Sequence, residues 1–67
     1  MSKIPLRHRL LAARLRANLS QEALGRRLGH EDGAWVSRTE AGKHSPTIET
    51  LQKIARITET PITDLLP

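Results

Sequence analysis

Residues 19–42 read LSQEALGRRLGHEDGAWVSRTEAG, and this stretch decides the fold. Ser20 favours the N-cap position of a helix, and Leu19 before it can pack on Leu24 as a hydrophobic staple. Gly29 marks the other end, because glycine readily takes the left-handed conformation that ends a helix. The first part of the stretch therefore predicts a short helix that stops before Gly29.

A second helix is predicted in the same stretch, with Asp32 as its N-cap and Gly42 as its stop. Val36 is expected to point inward, and the opposite face of this helix is polar. Gly25, in the preceding helix, lets another backbone come close, and we expect alanine to be tolerated there. A short helix, a glycine turn and a second helix with a polar outward face form a helix-turn-helix. This motif lays its second helix in the major groove of DNA.

Three further helices are predicted outside this stretch, which makes five in all. The first runs from about Pro5 to Ala17 and ends at Asn18, which tolerates the left-handed conformation. The fourth begins at Thr47 and the fifth at Thr60. The apolar residues that we expect to face inward are Leu6, Leu10, Ala13 and Ala17 flanked by Leu11 and Leu15, then Ile48, Leu51, Ile54 and Ala55, and finally Ile62, Leu65 and Leu66. No stretch shows the alternation of a strand, so the sequence predicts an all-α protein.

The chain has 67 residues, which we expect to form one domain, 1–67, around a single small core. It contains no cysteine, which excludes a disulfide and a thiolate metal site. No signal peptide is recognised, and no apolar run approaches the roughly 20 residues that span a bilayer. We therefore expect a soluble cytoplasmic protein without a membrane partner.

Charge is distributed unevenly along the chain. Residues 1–27 hold seven Lys and Arg against one acidic residue, whereas residues 28–67 hold four against six. Such a basic half can be a solvated surface, and it also suits a polyanion, with nucleic acid favoured over an acidic membrane. Five arginines are each expected to face solvent, two or three of them on DNA phosphates: Arg7, Arg9, Arg16, Arg26 and Arg27.

Nothing in the sequence indicates catalysis. His8, His30 and His44 are far apart and share no metal-ligand spacing. Neither a nucleophile elbow nor a glycine-rich phosphate loop is present. We therefore expect no enzymatic activity, no metal, no cofactor and no small-molecule ligand.

Three segments together resemble the Cro/cI-type (XRE) helix-turn-helix family. They are LSQEAL at residues 19–24, SRTEAGK at residues 37–43 and PTIETL at residues 46–51, and the resemblance covers about residues 6–66. It implies a five-helix, lambda-repressor-like fold whose helices 2 and 3 form the helix-turn-helix. It also implies operator DNA as the partner, bound by a homodimer.

The resemblance, carried over position by position, implies roles for ten residues. Arg14 and Glu40 match a salt bridge between the first and third helices. The other eight match DNA-contacting positions: Gln21, which caps the second helix towards a phosphate, Gly33, Ala34 and Arg38 at base edges, Trp35 and Ser37 near the DNA backbone, and Lys43 and His44 in a loop that touches phosphates. For Trp35 a core or dimer contact is an equal alternative.

The sequence departs from the family pattern in three places. The turn at His30-Glu31 is one residue longer than is common, so the start of the third helix can shift by a residue. Gly33 and Ala34 stand where longer polar side chains are frequent and offer little with which to read a base. Residues 58–60, Thr-Glu-Thr, replace the usual Leu-Gly-Val.

Two functions from different classes remain open. The favoured one is a transcription regulator, expected to be a repressor, that binds a partly palindromic operator as a homodimer. The alternative is a protein-interaction module of the same fold, such as an antitoxin-like partner, without specific DNA binding. The expected dimer interface comprises Ile62, Leu65 and Leu66, which can instead belong to the core.

Overall fold

The computed structural model describes residues 4–66, which contain four α-helices, one 3-10 turn and no strand. The elements are α1 (Leu6–Arg16), α2 (Gln21–Arg27), α3 (Ala34–Glu40), α4 (Ile48–Thr58) and the 3-10 turn Ile62–Asp64. Met1–Lys3 and Pro67, which the single-domain prediction includes, lie outside the described residues. None of the four helices is long and apolar enough to cross a membrane. The all-α prediction is confirmed for this part of the chain.

The helix ends follow from short local signals. Ser20 accepts a hydrogen bond from the Ala23 backbone N–H at 2.9 Å, and Thr47 accepts one from the Thr50 N–H at 3.2 Å, so both are side-chain N-caps. Asn18 has a φ of 59° and Gly29 a φ of 95°, the left-handed conformation that stops a helix. These boundaries agree with the sequence to within a residue.

The fifth predicted helix is not confirmed as an α-helix, because its segment forms a short 3-10 helix over Ile62–Asp64. Asp64 N–H bonds to the Pro61 carbonyl and Leu65 N–H to the Ile62 carbonyl, both at 2.9 Å. Pro67 follows Leu66 in the sequence, and the residue before a proline is disfavoured in a helix. The Leu66 N–H also bonds to the Ile62 carbonyl, at 3.1 Å, and these three bonds close one short helical turn.

The core lies between α1, α4 and the last turn. Its buried residues are Leu10, Ala13, Leu51, Ile54, Ala55 and Leu65, with Leu24 and Val36 buried on the helix-turn-helix. Two residues predicted to face inward are largely exposed, Leu15 at 57% and Ile48 at 61%. Leu15 lies on the opposite side of α1 from Leu10 and Ala13, and Ile48 is the first residue of α4, where no other element covers it.

Buried polar contacts fix the C-terminal end of α3. Arg14 on α1 donates from Nε to Glu40 Oε2 at 2.7 Å and from Nη2 to Glu40 Oε1 at 3.0 Å. The two side chains are only 10% and 8% exposed. Arg14 also donates to the Leu19 carbonyl, and Gln21 Nε2 donates to Glu40 Oε1, both at 3.0 Å. One carboxylate thus joins α1, α2 and α3.

Two glycines let the other end of α3 approach α2. A Cβ on Gly25 would lie 2.1 Å from the Asp32 carbonyl oxygen, and one on Gly33 would lie 2.7 Å from the Glu22 backbone nitrogen. Both obstacles are backbone atoms, which cannot move aside as a flexible side chain can. The expectation that alanine is tolerated at Gly25 is therefore wrong, because the close approach already excludes a methyl group.

Candidate nucleic-acid interface

The outward face of α3 consists of small side chains and one arginine. Ala34, Ser37 and Arg38 are exposed, whereas Val36 and Thr39 are buried against the rest of the domain. Within residues 4–66, the Arg38 guanidinium makes no hydrogen bond or ion pair. A single unpaired cation therefore stands among short side chains, on a helix that is anchored from its other side.

The start of α3 differs from the prediction by one residue. The helix begins at Ala34, with Gly33 rather than Asp32 in the N-cap position. The Asp32 carboxylate nevertheless accepts a hydrogen bond from the Ala34 N–H at 2.9 Å, so it still satisfies one free donor of the helix end. Because Gly33 packs on the backbone of α2, its position serves helix packing rather than contact with a base edge.

Gln21 lies at the first turn of α2, as the helix-turn-helix requires. Its side-chain amide is directed at Glu40 and not into solvent. The side chain therefore contributes to the contact between α2 and α3. The role that the resemblance implies for Gln21, capping α2 towards a phosphate, stays a prediction.

Trp35 is half-buried and packs on the core, and both neighbouring histidines touch its ring. The His30 ring is stacked on it, with a centroid distance of 5.2 Å and an angle of 13° between the planes. The His44 ring lies 5.4 Å away and is tilted by 40°. The structure thus favours the core alternative for Trp35. The contact between His30 and Trp35 was not predicted, because no local signal pairs a histidine with a residue five positions later.

A hydrogen-bond chain also fixes His44 to α3. The Thr39 hydroxyl donates to the Trp35 carbonyl at 2.8 Å, and its oxygen lies 2.6 Å from His44 Nε2. The loop between α3 and α4 is therefore held at a defined position relative to α3.

The surface around this loop is basic. Lys43 is exposed, and the Arg7 side chain lies against Gly42, so that a Cβ there would be 3.0 Å from Arg7 Cδ. Residues 33–48 contain one acidic residue, Glu40, which is buried and paired with Arg14. The α3 face and its following loop thus present positive charge without an exposed acid.

The three residues predicted for a dimer interface differ in how much of each side chain is buried. Leu65 is 0% exposed and belongs to the core, whereas Ile62 and Leu66 are half-buried and keep part of their surface. Only the latter two can offer apolar surface to another subunit. Within residues 4–66 no three His, Asp or Glu side chains are grouped so that they could hold a metal ion.

Comparison with known proteins gives one match. The model of a protein family described as Helix-turn-helix matches residues 10–65, from the middle of α1 to the last turn. No curated protein and no solved structure matches the chain. The family match covers both helices of the motif, most of α1, the whole of α4 and the 3-10 turn.

Proposed function

We propose that this chain, which belongs to the Cro/cI-type (XRE) family of DNA-binding helix-turn-helix domains, is a sequence-specific transcription regulator acting in the cytoplasm. In the proposed complex α3 lies in the major groove of double-stranded operator DNA. The observation that carries the proposal is the α3 face, exposed, free of acidic residues and bearing the unpaired Arg38.

Arg38 is the proposed reader of sequence. Its guanidinium fork matches the O6 and N7 acceptors of guanine, the commonest specific contact in the major groove. Ala34 and Ser37 are too short to reach far, so they allow the helix to come close to the bases, and the Ala34 methyl group can contact a thymine methyl. Lys43 is proposed to bind a phosphate, which positions the domain and carries no sequence information.

We further propose that two copies bind a partly palindromic operator and repress transcription. Two recognition helices about 34 Å apart would meet successive major grooves on one side of the duplex. The partly exposed Ile62 and Leu66 supply the proposed subunit contact. With no ligand site expected, the concentration of the protein would control occupancy.

The proposal is tested by anisotropy titration of two matched variants on two DNAs. Arg38→Ala should weaken binding to the cognate site by about 1–3 kcal/mol and relax the preference at one base pair per half-site. Lys43→Ala should weaken binding to cognate and scrambled DNA alike and flatten the dependence on salt. The cognate site is sought in the DNA upstream of the chain's own gene and by selection from random duplexes.

Two results would count against this assignment. If Arg38→Ala weakens both DNAs by the same factor, Arg38 contacts the backbone, and the exposed Glu31 or Asp32 becomes the candidate reader, through a cytosine amino group. If the wild-type chain does not distinguish cognate from scrambled DNA, the protein-interaction module becomes the better explanation.

A further inference from the structure

A cleft of about 170 Å³ lies between the start of α1 and the loop that joins α3 to α4. Its apolar side is formed by Leu6, Leu10 and Pro46, and its polar side includes Arg7, His44 and Ser45. Lys43 lies in the chain between the lining residues Gly42 and His44, and Arg38 directly precedes the lining residue Thr39, so the cleft adjoins the proposed DNA-binding face. The sequence counts Arg7 among the candidate phosphate contacts and the resemblance places His44 in a phosphate-contacting loop, but neither joins the two residues in one cleft.

Arg7 is the one charged residue of this cleft. Its stem lies against the Gly42 backbone, where a Cβ would be 3.0 Å from Arg7 Cδ and 3.5 Å from Nη1. Gly42 has a φ of 78°, so the turn itself also favours glycine at this place. Arg7 forms no ion pair with any of the described residues, and the nearby Glu40 carboxylate is already bound by Arg14 and Gln21. A cation is thus positioned by packing and left without a counter-charge.

His44 also lines this cleft, and a contact with Thr39 holds its ring in place. Its Nε2 atom lies 2.6 Å from the Thr39 hydroxyl oxygen, which is 2.8 Å from the Trp35 carbonyl oxygen. The Nδ1 atom and the Ser45 hydroxyl remain for an incoming group. The Ser45 hydroxyl can donate a hydrogen bond to an oxygen.

We propose that this cleft binds one phosphate of the operator backbone, with the Arg7 guanidinium as its main ligand and the Ser45 hydroxyl as a second donor. The inference rests on the proposed DNA-binding function and adds a contact from α1 that neither α3 nor its loop supplies. A planar guanidinium can donate two parallel hydrogen bonds to two oxygens of one phosphate, and its charge is opposite to that of the phosphate. The cleft therefore favours a phosphate over a neutral ligand. The adjacent Lys43 and Arg38 bring the duplex to the mouth of the cleft.

The other arginines of α1 have different positions, which provides a matched control. Arg14 is buried with Glu40, and Arg9 donates to the carbonyls of Asp64 and Leu66 at 3.3 and 2.9 Å. Arg16 is exposed on the opposite flank of the helix, beside Arg9 and Asp64. Arg7→Ala and Arg16→Ala therefore remove the same charge from the same helix, and only the first empties the cleft of its cation.

The experiment measures the affinity for cognate and scrambled duplexes over a series of salt concentrations. Arg7→Ala should weaken both by about 10-fold and reduce the slope of log K against log salt by about 0.9, the value for one lost phosphate contact. Arg16→Ala should change the slope by less than half as much. Arg7→Lys, which keeps the charge and loses the paired donors, should lie between wild type and Arg7→Ala.

A second measurement identifies the phosphate. Duplexes with single neutral methylphosphonate linkages are scanned, and one linkage should weaken the wild-type protein while leaving Arg7→Ala unaffected. Equal slopes for Arg7→Ala and Arg16→Ala, or no such linkage, would overturn the phosphate site. If the wild-type protein binds both DNAs equally, only the regulator proposal is overturned, because the salt slopes of the two variants still test whether the cleft binds a phosphate. A wild type that binds neither overturns both.

Discussion

Glu40→Ala is expected to be among the most damaging single changes in this domain. Glu40 receives two hydrogen bonds from Arg14 and one from Gln21, and its side chain is 8% exposed. Removing the carboxylate leaves a buried guanidinium that still donates to the Leu19 carbonyl but has lost its counter-charge. The cost arises from the remaining charge more than from the lost bonds.

The magnitude follows from the burial of the pair. Breaking a buried ion pair from one side costs about 3–5 kcal/mol. A domain of this length has a total free energy of unfolding of about 3–10 kcal/mol, at roughly 0.05–0.15 kcal/mol per residue. Each kcal/mol lowers the melting temperature of a small domain by about 4–8 °C, so we expect a fall of at least about 12 °C.

Thermal unfolding followed by circular dichroism measures this fall, and the molecule supplies its own control. Glu22 and Arg26 form a second ion pair, at 3.2 Å, whose side chains are 59% and 65% exposed. Glu22→Ala should cost about 0.5 kcal/mol or less, because water screens that pair. Replacing both buried partners, Arg14→Met with Glu40→Leu, should recover much of the loss. The reasoning is refuted if Glu40→Ala melts no lower than Glu22→Ala.

Three further outcomes are expected. Gly25→Ala should destabilise the domain by about 1–3 kcal/mol in urea unfolding, because the added methyl group meets the Asp32 carbonyl. An unchanged urea midpoint would contradict the close approach of α2 and α3. Glu59→Gly should raise the free energy of unfolding by up to about 1 kcal/mol, because Glu59 ends α4 with a φ of 53°, a conformation that glycine adopts more easily. A loss of stability would show that the Glu59 side chain matters more than its backbone. Leu66→Asp should weaken cooperative binding to a two-half-site operator without altering binding to one half-site. Unchanged cooperativity would place the subunit contact elsewhere.

The sequence predicted those parts of the fold that depend on a few adjacent residues. Ser20 and Thr47 were recognisable N-caps because their hydroxyls bond to backbone groups three residues away. Asn18 and Gly29 were recognisable stops because their conformation is a local property. The helix-turn-helix was predicted from these local signals, and the resemblance of three segments to the Cro/cI-type family implied the same motif.

Features that depend on contacts between elements were not predictable in this way. The start of α3 at Ala34 depends on the contact between Gly33 and the backbone of α2. The residues of the longer turn do not predict this contact. Trp35 could not be assigned from its helix position, because its neighbours His30 and His44 come from loops on either side. The position of Arg7 beside Gly42 joins residues 35 apart in the chain. Only the packing of α1 on the loop reveals that cleft.

The two sides of α3 have separate tasks, and this separation bears on how such a domain can change over generations. Val36, Thr39 and Glu40 hold the helix in place, while Ala34, Ser37 and Arg38 contribute no side-chain hydrogen bond or ion pair among residues 4–66. Exposed substitutions of this kind usually alter stability by no more than about 0.5 kcal/mol. Mutations on the outer side can therefore accumulate almost neutrally with respect to folding, and a duplicated copy of the gene could acquire a new target site without first acquiring a new scaffold.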